Sequence, residues 1–308
     1  MERLSVFLLI LNDFLHLAGF LLILTPRRHR TTNLLKQRAV SLSPNTFPVN
    51  RPLEKFVMVC SAFKCQNKKY SSKGGRLDTA EKLFDRYARS YELALSNALA
   101  PSGESREYFA EGRVEWLKRC LGSLGTRPRN VLDFGCGDGS TTPILQRILD
   151  ADICTGVDVS AKSLDVARKH FATKHIRYEL LEDLQAEGQM DLAYCNGVFH
   201  HIAPAERKDA LGLIRDALKP GGLFAFWENN SWNPATRYII SRCPFDKDAI
   251  LLSPLAARAL LKEAGFEMLR IDFRFIFPRF LRSLRRVEDF AIRLPFGAQY
   301  QILCRKAG

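Results

Sequence analysis

The sequence predicts an α/β fold, a doubly wound and mostly parallel sheet with helices on both faces and an antiparallel last strand. Three observations carry that expectation. From Leu77 onward, apolar runs of strand length alternate with segments of helical periodicity, the pattern of consecutive β-α-β units. The first such run, Val131 to Phe134, passes straight into glycines at alternate positions and then into a helix, so that backbone can approach a ligand at the helix N-terminus. The chain has 308 residues, 46% hydrophobic and 26% charged, which suits one large core with an extension and excludes a disordered, collagen-like or disulfide-stapled chain.

In chain order, residues 1–76 stand apart as an apolar start and a basic, disordered extension. Leu4 to Leu24 is mostly apolar but holds Asn12, Asp13 and His16 near its middle, and an aspartate there costs on the order of 2.5–3.5 kcal/mol in a membrane span. Arg27, Arg28 and Arg30 follow, and residues 30–75 have the proline-containing, weakly periodic composition of a linker. Three readings remain for this region: a weak membrane anchor, a targeting segment, or sequence upstream of a start at Met58.

The domain is expected over residues 77–308. Asp78 can cap a helix to about Ala94 that sets Leu83, Tyr87 and Tyr91 on one face, and a second helix is expected over Ser105–Cys120. Strands are expected at Asn130–Phe134, Ile153–Val157, Ile176–Leu180, Asp191–Cys195 and Leu223–Trp227. Between them fall helices at Thr141–Leu149, from the cap Ser160 to Phe171, and at Pro204–Leu218. Ser253 and Pro254 open a further helix that Ala264 and Gly265 close. Glu267–Phe277 and Ala298–Cys304 read as an antiparallel pair. Between those two, Leu281, Leu284 and Val287 alternate with Arg282, Arg285, Arg286 and Arg293, a basic amphipathic helix that can touch anionic lipid or an acidic acceptor, or serve as a solvent-facing lid.

Charge placement narrows the function. The net charge is +13, yet residues 1–76 hold 13 Lys+Arg against 3 Asp+Glu and residues 270–308 hold 9 against 3, leaving 24 against 27 in between. A slightly acidic middle argues against a nucleic-acid substrate. The eight cysteines form no CxxC pair, so no metal site is expected and the thiols read as small buried hydrophobes of a reducing compartment. A cytoplasmic location follows, with membrane association through the N-terminus as its one qualification.

The informative segment is Val131-Leu132-Asp133-Phe134-Gly135-Cys136-Gly137-Asp138-Gly139-Ser140. A dinucleotide fingerprint needs a third glycine at position 140, where serine stands, and Asp133 would repel a pyrophosphate while attracting an ammonium. With Gly156-Val157-Asp158-Val159-Ser160, Asp183, Asn196-Gly197-Val198-Phe199-His200-His201 and Leu218-Lys219-Pro220-Gly221-Gly222 following in order, the sequence resembles the class I S-adenosylmethionine-dependent methyltransferases, which share a Rossmann-like sheet. The resemblance covers Val131 to Phe277. It implies that S-adenosyl-L-methionine is the cofactor and that Asp133, Gly135, Cys136 and Gly137 hold its methionine part. It also implies that Asp158, with Val159 beside it, takes the ribose hydroxyls, that Asp183 or its neighbour Glu182 reaches the adenine amine, that Asn196 lines the site, and that Tyr87 folds over the cofactor. Taken by itself, Asp158 would read as a helix cap and Asp183 as a turn residue.

Methyl transfer from a sulfonium needs alignment, and a base only if the acceptor must lose a proton. The bases available at the C-terminal strand edges are His200 and His201 after the fourth strand and Glu228 after the fifth, of which Glu228 is favoured because an uninterrupted strand delivers it. Arg113 is a candidate partner for the cofactor carboxylate. Trp227 to Asp248, polar and aromatic, is a candidate acceptor pocket or an ordinary structured loop. The function expected is methyl transfer to a small-molecule or lipid-linked acceptor. The alternatives are a protein or RNA methyltransferase and a domain that binds the cofactor without turnover.

Overall fold

The computed structural model describes residues 97–185, 188–243, 246 and 249–307. All lie within one of the two compact units of the chain, Tyr70–Gly308. The expected helix from Asp78 with Tyr87, the apolar start and the basic extension lie outside the described residues. No helix among the described residues is long and apolar enough to cross a membrane.

Seven strands form one sheet: β1 (Asn130–Phe134), β2 (Ile153–Asp158), β3 (Ile176–Leu180), β4 (Met190–Asn196), β5 (Leu218–Asn229), β6 (Phe266–Arg274) and β7 (Gln299–Lys306). Their order is β3-β2-β1-β4-β5-β7-β6. The first five strands pair in parallel, and β7 is antiparallel to both β5 and β6. Helices α1 (Arg106–Ser123), α2 (Thr142–Leu149), α3 (Ala161–Phe171), α4 (Arg207–Ala217), α5 (Pro234–Ser241), α6 (Pro254–Glu263) and the short α7 (Glu288–Ala291) complete the domain.

Strand periodicity divides the core into two layers, because successive side chains point to opposite faces. Leu223, Ala225 and Trp227 of β5 join Leu117, Leu145 and Leu164 of α1, α2 and α3 on one face. Phe224 and Phe226 join Leu211, Ile214 and Leu261 of α4 and α6 on the other. Trp227, placed by sequence at the start of an acceptor pocket, is therefore a core residue.

Local chemistry sets the helix ends. Ser105, Ser160 and Ser253 each accept a backbone N–H three residues on, and Pro254 stands in the first turn where its missing donor is harmless. Two elements depart from expectation. β5 begins at Leu218, not Leu223: its ladder with β4 opens at Met190 opposite Leu218, shifts register, and resumes at Leu192 opposite Leu223, so the Pro220-Gly221-Gly222 turn is absorbed as an irregularity. The expected basic helix after β6 is a 3-10 stretch, Arg279–Val287, kinked at Leu281.

Candidate active site

The C-terminal ends of β1, β2, β4 and β5 meet at one edge, where open α/β sheets bind ligands. Backbone there is bent by glycine: Gly135 (φ +73°) and Gly137 (φ +57°) occupy the left-handed region that a Cβ disfavours. A Cβ on Gly135 would strike Val198 at 2.4 Å, whereas one on Gly137 would meet nothing within 4 Å among the described residues. The loop is thus packed on one side and open at Gly137.

Three carboxylates surround this opening. Asp133 is buried at the end of β1, and its Oδ2 accepts from the Thr142 hydroxyl at 2.7 Å. Burial raises its carboxyl to about 7, the Thr142 bond working against the shift and the Asp158 charge adding to it. Asp158 Oδ2 accepts from Gly137 N–H and Oδ1 from Ser160 N–H, each at 2.9 Å, so this residue fixes the loop as well as the turn into α3. Ser160, not Asp158, supplies the side-chain cap. Asp138 is paired through both oxygens with Arg106, at 2.5 and 2.7 Å. Despite its burial, that pairing holds its carboxyl below the usual range.

Other expected residues fall at the same edge with varied surroundings. Cys136 is buried, and burial together with the charges of Asp133 and Asp158 pushes its thiol well up, so it is no nucleophile. Val159 is half-buried beside Asp158. Glu182 and Asp183 are both exposed on the 3-10 turn Leu181–Asp183 after β3. The Asn196 side-chain oxygen is buried at the end of β4 with no partner, an acceptor held ready. Arg113 is buried, donating to Tyr194 Oη and Gln299 Oε1 at 3.0 Å each, and so is taken up within the protein.

On the acceptor side, His200 lies between two carboxylates. Its Nδ1 is 2.7 Å from Glu228 Oε2 and its Nε2 is 3.4 Å from Asp246 Oδ1. Burial alone would lower its pKa, but Glu228 and Asp246 together raise it to about 10, so the ring is an imidazolium at neutral pH. Glu228 is fully engaged: Oε1 accepts from Phe199 and His200 N–H at 2.9 and 3.3 Å, and Oε2 accepts from His200 and from Asn229 N–H at 3.3 Å. His201 differs. Burial and the neighbouring His200 charge lower its pKa, leaving it neutral, while its Nε2 lies 3.2 Å from Asp246 Oδ1. Asp246 is held well below the usual carboxylate range by both histidines against the effect of burial; the sequence offers it only as part of the Trp227–Asp248 segment and Asp138 only as part of the glycine loop, and gives Thr142 no role. His200, His201 and Asp246 also bring three donor atoms within 4.8 Å of one another, a group able to hold a metal ion where the sequence predicts none.

Residues 131–222 match the family described as methyltransferase domain. Within the chain these residues are a methyltransferase domain, carried on a class I, Rossmann-like sheet. That domain is 28% identical over 171 residues to a ubiquinone biosynthesis O-methyltransferase of Bordetella avium, covering 50% of this chain and 68% of the relative. An O-methyltransferase of Penicillium expansum is 27% identical over 150 residues, 46% of this chain and 53% of its own length. Among solved structures, human N-acetylserotonin methyltransferase in complex with S-adenosylmethionine superposes with a TM-score of 0.51 at 19% identity, over 74% of this chain and 60% of its own. A Haloferax volcanii methyltransferase in complex with its Trm112 activator gives 0.52 at 18% identity, over 73% and 98%. The methyltransferase domain shares their fold, and its sheet order and loop chemistry are those derived above.

Proposed function

We propose that the domain transfers the methyl group of S-adenosylmethionine to an oxygen or acidic carbon of a small-molecule or lipid-linked acceptor, with His201 as general base and Asp246 as its positioning partner. The observation that carries this reading is the acidic, glycine-opened loop: Asp133 and Asp158 flank open space at Gly137, and Asn196 presents an unpartnered buried oxygen nearby. Such a site attracts the ammonium and sulfonium of the cofactor and repels a pyrophosphate. When bound, the cofactor supplies an electrophilic methyl carbon.

The remaining work falls to this chain. Asp133 would hold the ammonium, and Asp158 keeps lone pairs for the ribose hydroxyls while its backbone bonds hold the loop. Asp246, 3.2 Å from Nε2, would orient the ring of His201, and a neutral imidazole can take the acceptor's proton. Glu228 acts differently from the base expected of it. It holds Phe199 and His200 in place and keeps His200 protonated, and that charge adds to burial in lowering the pKa of His201. The names of the O-methyltransferase relatives support a hydroxyl acceptor.

The test combines binding and turnover. Titration calorimetry should show S-adenosylhomocysteine binding that weakens in Asp158→Ala. Incubation with methyl-labelled cofactor and phenols bearing short or polyprenyl tails should label at least one phenol. No measurable affinity of the wild-type chain for S-adenosylhomocysteine would sink the proposal.

A further inference from the structure

Between β6 and β7 the chain turns its polar side inward and its apolar side outward. A 3-10 helix brings every third residue into register, so Leu284 and Val287, continued by Phe290 in α7, fall in one row. In an ordinary surface segment that row would pack on the core. Here Leu284, Val287 and Phe290 are 44%, 49% and 89% exposed, and Phe280 nearby is 59% exposed.

Charges fill the inward side instead. Arg285 pairs with Glu104 at 2.8 Å, donates to the Phe277 carbonyl at 3.1 Å, and lies over the Tyr108 ring. Glu288 is buried and accepts from the N–H groups of Ile276 and Phe277. At the exposed margin of that side, Asp289 pairs with Arg274 and Arg119. Turning the apolar row inward would break all of these, so its exposure is built in. Arg282 and Arg286 stand exposed in the same stretch and enter no ion pair among the described residues.

Position gives the patch meaning. β5 and β6 both run antiparallel to β7, so the segment leaves the sheet at the edge where β5 ends in Asn229, on the acceptor side of the candidate site. Its return is fastened there: Asn230 donates to the carbonyls of Pro295 and Gly297, Asn233 to Phe296, and Thr236 to Ala298.

We propose that Leu284, Val287 and Phe290, with Arg282 and Arg286, form a docking surface for an anionic lipid membrane at the rim of the acceptor side. An apolar row alone would suit many partners, and exposed arginines alone would suit any polyanion. The two together, on an inverted amphipathic segment, match the acyl boundary and anionic headgroups of one lipid surface. The proposal stands on this surface and not on the acceptor, so its failure leaves the methyl-transfer reading intact.

Flotation of the full chain with phosphatidylcholine vesicles, with and without phosphatidylglycerol, tests it. Capture is expected by the anionic vesicles only. It should fall roughly tenfold or more in the double variant Leu284→Ser with Phe290→Ser, and less steeply in Arg282→Gln with Arg286→Gln, where salt sensitivity should also drop. All four positions are exposed, so thermal midpoints should hold. Residues 1–76 are themselves basic and are present in every variant. Equal capture of wild type and the double variant would therefore assign binding elsewhere and overturn the proposal. Absence of vesicle binding, with self-association that Phe290→Ser abolishes, would make the row a contact between copies and overturn it as well.

Discussion

If the carboxyl at the end of β1, raised to about 7, holds the cofactor's ammonium as proposed, affinity is a function of pH. The cause is the burial of Asp133, which Thr142 offsets only in part. An ammonium binds the ionised form, so affinity for S-adenosylhomocysteine should climb by up to about tenfold per pH unit below 7 and level off above it. Calorimetry at pH 5.5, 6.5 and 7.5 checks this, and Asp133→Asn should give weaker binding with a flat profile. The acceptor side separates a base from its supports. His201→Ala should lower turnover about 100- to 10,000-fold with cofactor affinity intact, whereas Asp246→Asn should lower it less and shift the pH profile. A His201→Ala enzyme within a few-fold of wild type would leave alignment alone as the catalytic device. Asp133, the glycines and Asp158 were legible because one short stretch and one strand end carry them. Asp246 was not, since only the fold brings it to the histidines. Glu228 was placed at the correct edge, but nothing in the sequence shows that backbone N–H groups of residues 199, 200 and 229 converge on it.

Elements were legible where a local cap and a periodic face agreed. α3 runs from its Ser160 cap to Phe171, as Leu164 and Ala167 on one buried face require. Propensity misled where tertiary pairing overrode it, as at Leu218, which β4 pairs through Met190 so that the proline and glycines after it become an irregularity inside β5. The spacing of Leu281, Leu284 and Val287 was visible, but the repeat of three belongs to a 3-10 helix, and the side facing the protein is the charged one. The loop between β1 and α2 offers a contrast between adjacent glycines. Gly139→Ala would place a Cβ 2.5 Å from that of Ala167 and 2.8 Å from the Tyr178 ring, so it should destabilise the packing of α3 on the loop. Gly137→Ala meets no atom within 4 Å among the described residues; it should cost about 1–2 kcal/mol for its left-handed φ and reduce cofactor affinity by more than its loss of stability suggests. Urea melts beside calorimetry distinguish the two. Equal losses of affinity at equal losses of stability would argue that nothing approaches Gly137.

For the whole molecule, buried groups with raised pKa values make stability fall as pH rises, and two of them do so in different windows. Asp133 has a folded pKa above its unfolded value, so the folded state holds a proton that the unfolded chain releases from about pH 4, and stability is lost from there to about pH 7. His200 is also raised, to about 10, so the contribution of its pairing with Glu228 and Asp246 is full below about pH 6.5 and is lost as pH rises through about 10. Each shift corresponds to something on the order of 4–5 kcal/mol across its window. Comparing variants with wild type cancels the charges common to both. Asp133→Asn should therefore gain on wild type between pH 5 and 7 and hold a constant lead above 7. Glu228→Gln breaks a buried pair, which typically costs about 3–5 kcal/mol, and its deficit should be largest near pH 6 and shrink toward pH 10 as His200 loses its proton in wild type. Saturating S-adenosylhomocysteine should stabilise wild type more at pH 7.5 than at 5.5, because the bound state keeps Asp133 ionised, and should show no such difference in Asp133→Asn. If the Glu228→Gln deficit instead grows with pH, Glu228 is not what holds the proton on His200, and burial alone is left to lower the pKa of His201.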